Sequence, residues 1–248
     1  MSLTRHIPVP GVLNLRDLGG YPTGRGDTAW RRVLRAASLH DLDPAGIAEL
    51  EALGLRHVID LRYADEIAKR PNPFAGRTGA TRYSQVSLLA GLSPEAPEIS
   101  AAPDPLLALY LKAAETNAAG FVEVARLIAG TPQGAVLFHC SAGKDRTGMI
   151  AAMMLELAGV SRACILDDYA CTADHIAPFV EATRLLITRQ GGDFDSYAPF
   201  LRSDPPTMAG FLDHLADRHG GAAGYLLAHG LSPADLGVLQ RRLGAADG

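Results

Sequence analysis

The stretch GAVLFHCSAGKDRTGMIAAMMLELAG, residues 134–159, constrains the fold more than any other part of the chain. It opens with a short aromatic and β-branched run, Val136–His139, that reads as a buried strand. It closes with TGMIAAMMLELAG, apolar almost all the way round. A helix of that composition has no face to offer to water, so it must lie buried across a sheet with its N-terminus at the strand's end. The join is short and chemically unusual. Cys140 and Arg146 are separated by five residues only, Ser141, Ala142, Gly143, Lys144 and Asp145.

The rest of the chain fits around that unit. RHVIDLR supplies a second buried strand, Val58–Leu61, preceded by the helix DPAGIAELEALG with Asp43 as N-cap, Pro44 at its first position and Gly54 as its stop. Between the two strands, helical periodicity runs from Asp104-Pro105 to Gly130, with a break near Thr116-Asn117 that splits it in two. Strand, helices, strand and helix in that order predict an α/β fold: a central, mostly parallel twisted sheet flanked by helices. NLRDLGGYPT and WRRVLRAAS predict a glycine-turned pair of edge strands, with the RGD at Arg25–Asp27 in the turn. From Ser161 onward the pattern is helical, with starts at Ser161, Asp204-Pro205 and Ser232-Pro233. With no repeat and no long linker, residues 1–248 read as a single domain: a sheet-containing core over 1–160 and a helical part over 161–248. Two stretches without periodicity, Ser87–Pro103 and Gly191–Pro206, are expected as surface loops or as lids beside a site.

Several functions are excluded or disfavoured. A net charge of −4 offers no nucleic-acid surface and no polybasic membrane patch. No window approaches the ~18 apolar residues of a membrane span, and MSLTRHIPVPGVLN has no signal-like apolar core. Cys140, Cys164 and Cys171 are too few and too irregular for a disulfide framework or a zinc site, and the histidines show no metal-ligand spacing. A reducing, cytoplasmic setting is expected, with export by a signal-less route left open. A nucleotide-binding loop needs Ser or Thr after Gly-Lys and an earlier glycine. Gly143-Lys144 is followed by Asp145, and that glycine is missing.

What remains is the chemistry of the short loop. The first amides of a helix have no intrahelical partners, and the helix dipole is positive there, so the helix start is an anion site. A loop this short, containing Ala142 and Gly143, can curl so that the amides of Ser141, Ala142, Gly143, Lys144 and Asp145 point at one centre. Arg146 can then grip two oxygens of a tetrahedral oxyanion. The same field acts on Cys140. A free thiol has a pKa of roughly 8.5, and helix N-termini with nearby cations lower it to about 3.5–7.5. Cys140 is thus expected to be a nucleophilic thiolate, with His139 fixing the loop and the Thr147 hydroxyl donating to the sulfur.

HCSAGKDRTG resembles the signature loop of the protein-tyrosine-phosphatase superfamily. More narrowly the chain resembles the bacterial tyrosine/serine phosphatases, through NLRDLGGYPT, VIDLR with Glu66, DDYACTAD and FLDHLADRHGGAAGYLLAHG. The resemblance implies a metal-independent phosphomonoester hydrolase without cofactor, working through a cysteinyl-phosphate. Its substrate would be a phosphorylated protein (phosphotyrosine, or dually phosphotyrosine and phosphoserine/threonine), with a phosphoinositide phosphatase or a non-catalytic phosphate-binding module as alternatives. It also maps the proton donor onto Asp60, with structural pairing to Arg62 or Arg16 as the competing role. Asp145 is a second candidate acid. Lys144 adds a charge at the rim; Ser141 stands where phosphoinositide-directed relatives tend to carry another lysine. Arg16 and Asp17 read as a buried ion pair.

Overall fold

A computed structural model describes residues 3–89, 91–92 and 96–244. Seven strands are present among them: β1 (Arg16–Asp17), β2 (Pro22–Thr23), β3 (Gly26–Asp27), β4 (Val33–Ala36), β5 (Leu55–Asp60), β6 (Arg82–Gln85) and β7 (Ala135–His139). The central sheet runs in the order β1-β4-β7-β5-β6; β4, β7, β5 and β6 are mutually parallel, and β1 alone is antiparallel. The α/β architecture expected from the sequence is therefore present.

Alternation along the strands divides the core into two layers. Val33, Ile59, Val136 and Phe138 face the larger layer, which holds the helices Pro105–Thr116, Ala118–Ala129 and Asp145–Leu157. Leu34, Val58, Ala135 and Leu137 face the smaller one, closed by the helix Pro44–Ala52. Local signals set the helix boundaries. Asp43 accepts from the Gly46 amide at 2.8 Å and Pro44 takes the first turn. Asn117 ends one helix and caps the next, as the break at Thr116-Asn117 predicts.

Two expectations change. β1 and β4 do pair antiparallel, but β4 is an interior strand, buried at all four residues and paired on its other side with β7; a separate β2–β3 hairpin holds RGD, with Arg25 in its turn and Gly26–Asp27 as the strand β3. β6 was not predicted. Its residues RYSQ show no apolar run, which suits the half-exposed edge it occupies. The loops at 87–103 and 191–206 contain short helices, Pro97–Ser100 and Phe194–Tyr197, and residues 90 and 93–95 lie outside the described residues. Among the described residues no helix is long and apolar enough to cross a membrane.

The two ends of the sheet are finished differently. At one end Ala36, His139 and Asp60 are in register, so three parallel strands stop side by side, where sites gather in such sheets. At the other, the buried Arg242 donates to the carbonyls of Thr131, Arg32 (3.0 Å) and Gly134 (2.6 Å), and the Ala29 amide donates to Leu243 O at 3.0 Å.

Candidate active site

The loop that follows β7 is held from outside, carbonyl by carbonyl. Cys140 O accepts from His139 Nδ1 at 3.1 Å and Ser141 O from the Ser38 amide at 3.0 Å. Ala142 O accepts from Asn14 Nδ2 at 3.3 Å, and Gly143 O from Asn14 Nδ2 at 2.9 Å and Arg35 Nη2 at 2.8 Å. Lys144 O accepts from the Gly148 amide at 2.6 Å as the helix begins. Every peptide bond here is trans, so each N–H points opposite to the carbonyl of its own plane. Five carbonyls bound on the outer side leave the amides of Ser141, Ala142, Gly143, Lys144 and Asp145 directed to the inner side. Among the described residues none of the first four donates to another protein group. Gly143 permits the curl. Its φ is +66°, and a Cβ there would stand 2.5 Å from the Ala36 backbone.

Arg146 is nearly buried and is aimed by Glu66 from the helix Ala64–Lys69. Nη1 meets Glu66 Oε2 at 2.6 Å and Nη2 meets Oε1 at 3.0 Å; Ser141 Oγ donates to the same Oε1. The Tyr63 ring lies 5.0 Å from the guanidinium carbon. Burial works against the charge on Arg146, but the Glu66 hydrogen bonds and the charge of Cys140 outweigh it and raise its pKa. Burial likewise opposes the Glu66 carboxylate, yet its bonds to Arg146 bring it down to about 2. This end-on pairing leaves the side of the guanidinium fork, Nε–H and the second Nη2–H, for two oxygens of a phosphoryl group.

Asp60, expected as proton donor, is committed elsewhere. Oδ1 accepts from Arg62 Nε (2.9 Å) and the Arg62 amide (3.1 Å); Oδ2 accepts from Arg62 Nη2 (2.7 Å), Tyr83 Oη (3.2 Å) and Asn72 Nδ2 (3.3 Å). It is fully buried. Burial alone would raise its pKa, but the Arg62 bonds and the neighbouring His139 lower it. Those surroundings favour its ionised form and fit the pairing with Arg62. Asn72 also donates to His139 Nε2 at 2.8 Å, which leaves the imidazole proton on Nδ1, where it holds Cys140 O.

Asp145 is also ion-paired but less enclosed. It is the first residue of the buried helix, and its side chain remains 24% exposed. Oδ1 accepts from Tyr110 Oη at 2.7 Å and Lys144 Nζ at 2.6 Å, and among the described residues Oδ2 has no protein partner. Lys144 is not a solvated rim charge. It is buried, and Nζ also reaches Arg202 O at 2.7 Å. Among the described residues the buried Thr147 Oγ1 has no partner, as a hydroxyl reserved for sulfur or an oxyanion would have none. Arg16 and Asp17 are both buried, but they pair with Asp168 and Arg31 and not with each other. Among the described residues no group of three or more His, Cys, Asp or Glu is arranged to hold a metal.

Beside Ser141 and Glu66 opens a cleft of about 720 Å³. Lys69, Arg70 and Arg189 line it together with Phe179, Leu185 and Leu186 of the helix Ala177–Arg189.

The tyrosine phosphatase family model matches residues 7–245, nearly the whole chain. The chain belongs to the tyrosine phosphatase family. A tyrosine-protein phosphatase of Nostoc commune is 35% identical over 86% of this chain and 74% of its own length. The triple specificity protein phosphatase PtpB of Mycobacterium tuberculosis is 32% identical over 68% of this chain and 69% of its own. The crystal structure of TpbA from P. aeruginosa aligns over 56% of this chain and 68% of its own, at 20% identity and a TM-score of 0.35. This tyrosine phosphatase is a phosphoric monoester hydrolase.

The sequence reading missed the support shell. Asn14 sits at the head of NLRDLGG, quoted above for an edge strand and for resemblance, and Asp168 in DDYACTAD, quoted for resemblance. Glu66, three residues after Tyr63, has the spacing of the acidic half of a capping box and fills that half by accepting from the Tyr63 amide at 2.9 Å.

Proposed function

We propose that this phosphatase hydrolyses phosphomonoesters without a metal, through a phosphocysteine at Cys140. Cys140 Sγ attacks phosphorus as a thiolate; the S–P bond forms while the P–O bond to the leaving group breaks. The five inward amides and the open side of the Arg146 fork take up the charge that grows on the equatorial oxygens. Asp145 gives its proton to the departing phenolate or alkoxide, and the Thr147 hydroxyl donates to the sulfur when phosphate leaves. Water then attacks the phosphocysteine, with Asp145 taking the water's proton, and releases inorganic phosphate.

The observation that carries this reading is the run of five carbonyls bound on one side, which frees five consecutive amides on the other. The Asp145 assignment is supported by its exposure and its free oxygen, against the buried, Arg62-bound Asp60. For substrate, we favour a phosphotyrosyl protein with phosphoserine/threonine as a second class: the open cleft beside the loop accepts a chain on either side of the phosphorylated residue. A phosphoinositide is the second reading, favoured by the apolar residues Phe179, Leu185 and Leu186 facing the same cleft as Lys69 and Arg70.

Phosphate release from phosphotyrosyl peptide, phosphoseryl peptide and phosphoinositide vesicles, each with chelator present, tests the proposal. Chelator-resistant turnover, fastest on the phosphotyrosyl peptide and abolished in Cys140→Ser, is expected. Turnover that Cys140→Ser retains would overturn it.

A further inference from the structure

Asn14 is one of two non-glycine residues with positive φ among the described residues, at +58°. It is 2% exposed, immediately before Leu15 and β1, yet it touches a loop nearly 130 positions later. Nδ2 donates to Ala142 O at 3.3 Å and Gly143 O at 2.9 Å. Its Oδ1 accepts from Arg16 Nη1, and because a guanidinium only donates, that contact fixes which end of the amide faces the loop. Arg16 is itself locked: Nε meets Asp168 Oδ1 at 3.3 Å, and Nη2 meets Asp168 O at 2.9 Å and Thr172 Oγ1 at 3.3 Å. The fully buried Arg35 joins the same two groups, donating to Asp168 Oδ2 and to Gly143 O. Tyr21 Oη completes the Asp168 shell at 2.8 Å.

We infer that Asn14 is a positioning residue for phosphoryl transfer: one side-chain amide pins two successive carbonyls outward and thereby sets the inward direction of the Gly143 and Lys144 amides. Asp168, through Arg16 and Arg35, fixes Asn14 and the loop as one unit. The inference rests on the Cys140 reading above and adds to it the device that shapes the cradle. The physical rationale is the planarity of the peptide group. Without the Asn14 donor, Ala142 O loses its one side-chain partner among the described residues and can rotate by a peptide flip, so that the Gly143 N–H leaves the anion, while Gly143 O keeps only Arg35 Nη2 to hold the next plane.

A competing role is purely conformational, since Asn tolerates left-handed backbone better than other side chains. Glycine tolerates it better still, so Asn14→Gly separates the two roles. It removes the donor and relieves the backbone. Asn14→Asp keeps both the left-handed preference and the oxygen facing Arg16, and it too lacks the donor. The probes are orthovanadate affinity, kcat/KM on an aryl phosphate, and the pH dependence of Cys140 alkylation by iodoacetate. Both variants are expected to keep the parent's circular dichroism. Each should bind vanadate and turn over ~10–100-fold less well, on the scale of losing one oxyanion donor. Both should shift the alkylation midpoint to higher pH. Either variant folded with the parent's vanadate affinity would overturn the inference. Failure of both to fold would overturn it too, by making Asn14 a stability residue. A parent protein that binds no vanadate would sink the Cys140 reading instead, so the two failures are distinguishable.

Discussion

Two helices of this phosphatase have the same length and opposite fates. Asp145–Leu157 and Ala177–Arg189 each span 13 residues, but eleven residues of the first are buried and none of the second. The first begins at the signature loop and is packed by core on all sides; the second borders the cleft and exposes Leu185 and Leu186. Burial rigidifies what must be held to a fraction of an ångström, the amides around phosphorus. The wall with few buried contacts opens at lower free energy and is free to adjust to what lies beyond the phosphoryl group. On the proposed reading, chemistry and substrate selection fall at opposite ends of the stability range within one site.

Four measurements would break or sharpen that contrast. The largest effect belongs to Cys140→Ser, which should lower turnover of an aryl phosphate by ~10³-fold or more while phosphate still binds; calorimetry with inorganic phosphate checks the second half. Next, Asp145→Asn should slow aryl phosphate cleavage by ~10²-fold and remove the decline in rate at high pH that a required acid imposes. Asp60→Asn should keep that decline and lose stability, because Arg62 is left buried without its carboxylate. If the decline vanishes in Asp60→Asn alone, the acid is Asp60.

Third, Met153→Ala in the buried helix should cost ~2–5 kcal/mol by denaturant titration, and Leu186→Ala in the exposed one under ~0.5 kcal/mol. Equal costs would erase the difference between the helices. Hydrogen exchange should agree, with the 145–157 amides among the slowest and 177–189 among the fastest.

The smallest effects concern pH. His57 is buried between Thr131 and Ser84, and burial together with Arg82 lowers its pKa to about 4. The folded state keeps it neutral while the unfolded chain protonates near pH 6.5, so stability should decline as pH falls from ~6.5 toward 4. Burial opposes the Asp168 carboxylate, but Arg16 and Arg35 hold its pKa at about 2, and Glu66 is held as low by Arg146. Their contribution is complete above pH ~4 and should be lost as pH approaches 2. Thermal unfolding from pH 7 to 2 checks both windows. His57→Gln should flatten only the first.

The contrast also marks what could be read in advance. The parallel sheet, the capped helix starts and the loop between Cys140 and Arg146 were legible because each is written in consecutive residues: periodicity, caps and spacing act locally. Asp60 could not be decided between proton donor and partner of Arg62, because VIDLR places it at a strand's C-terminal end but says nothing of Tyr83 and Asn72, which close over it from β6 and the segment before it. Asn14, Arg35 and Asp168 were invisible for the same reason. Their contacts join positions more than a hundred residues apart, and only the closed fold brings them together. β4 was set at the edge because its four residues look the same whether one neighbour or two will pair with them.

The Arg242 clamp carries a consequence for how this chain is made. Strands β4 and β7 are synthesised well before residue 242, yet the carbonyls of Arg32, Thr131 and Gly134 gain this guanidinium only when it arrives. Emerging from a ribosome, the polypeptide would hold a nearly finished nucleophilic loop above a sheet whose lower rim is still open to water. Ribosome-bound intermediates should therefore breathe from that rim, and the seal should come last.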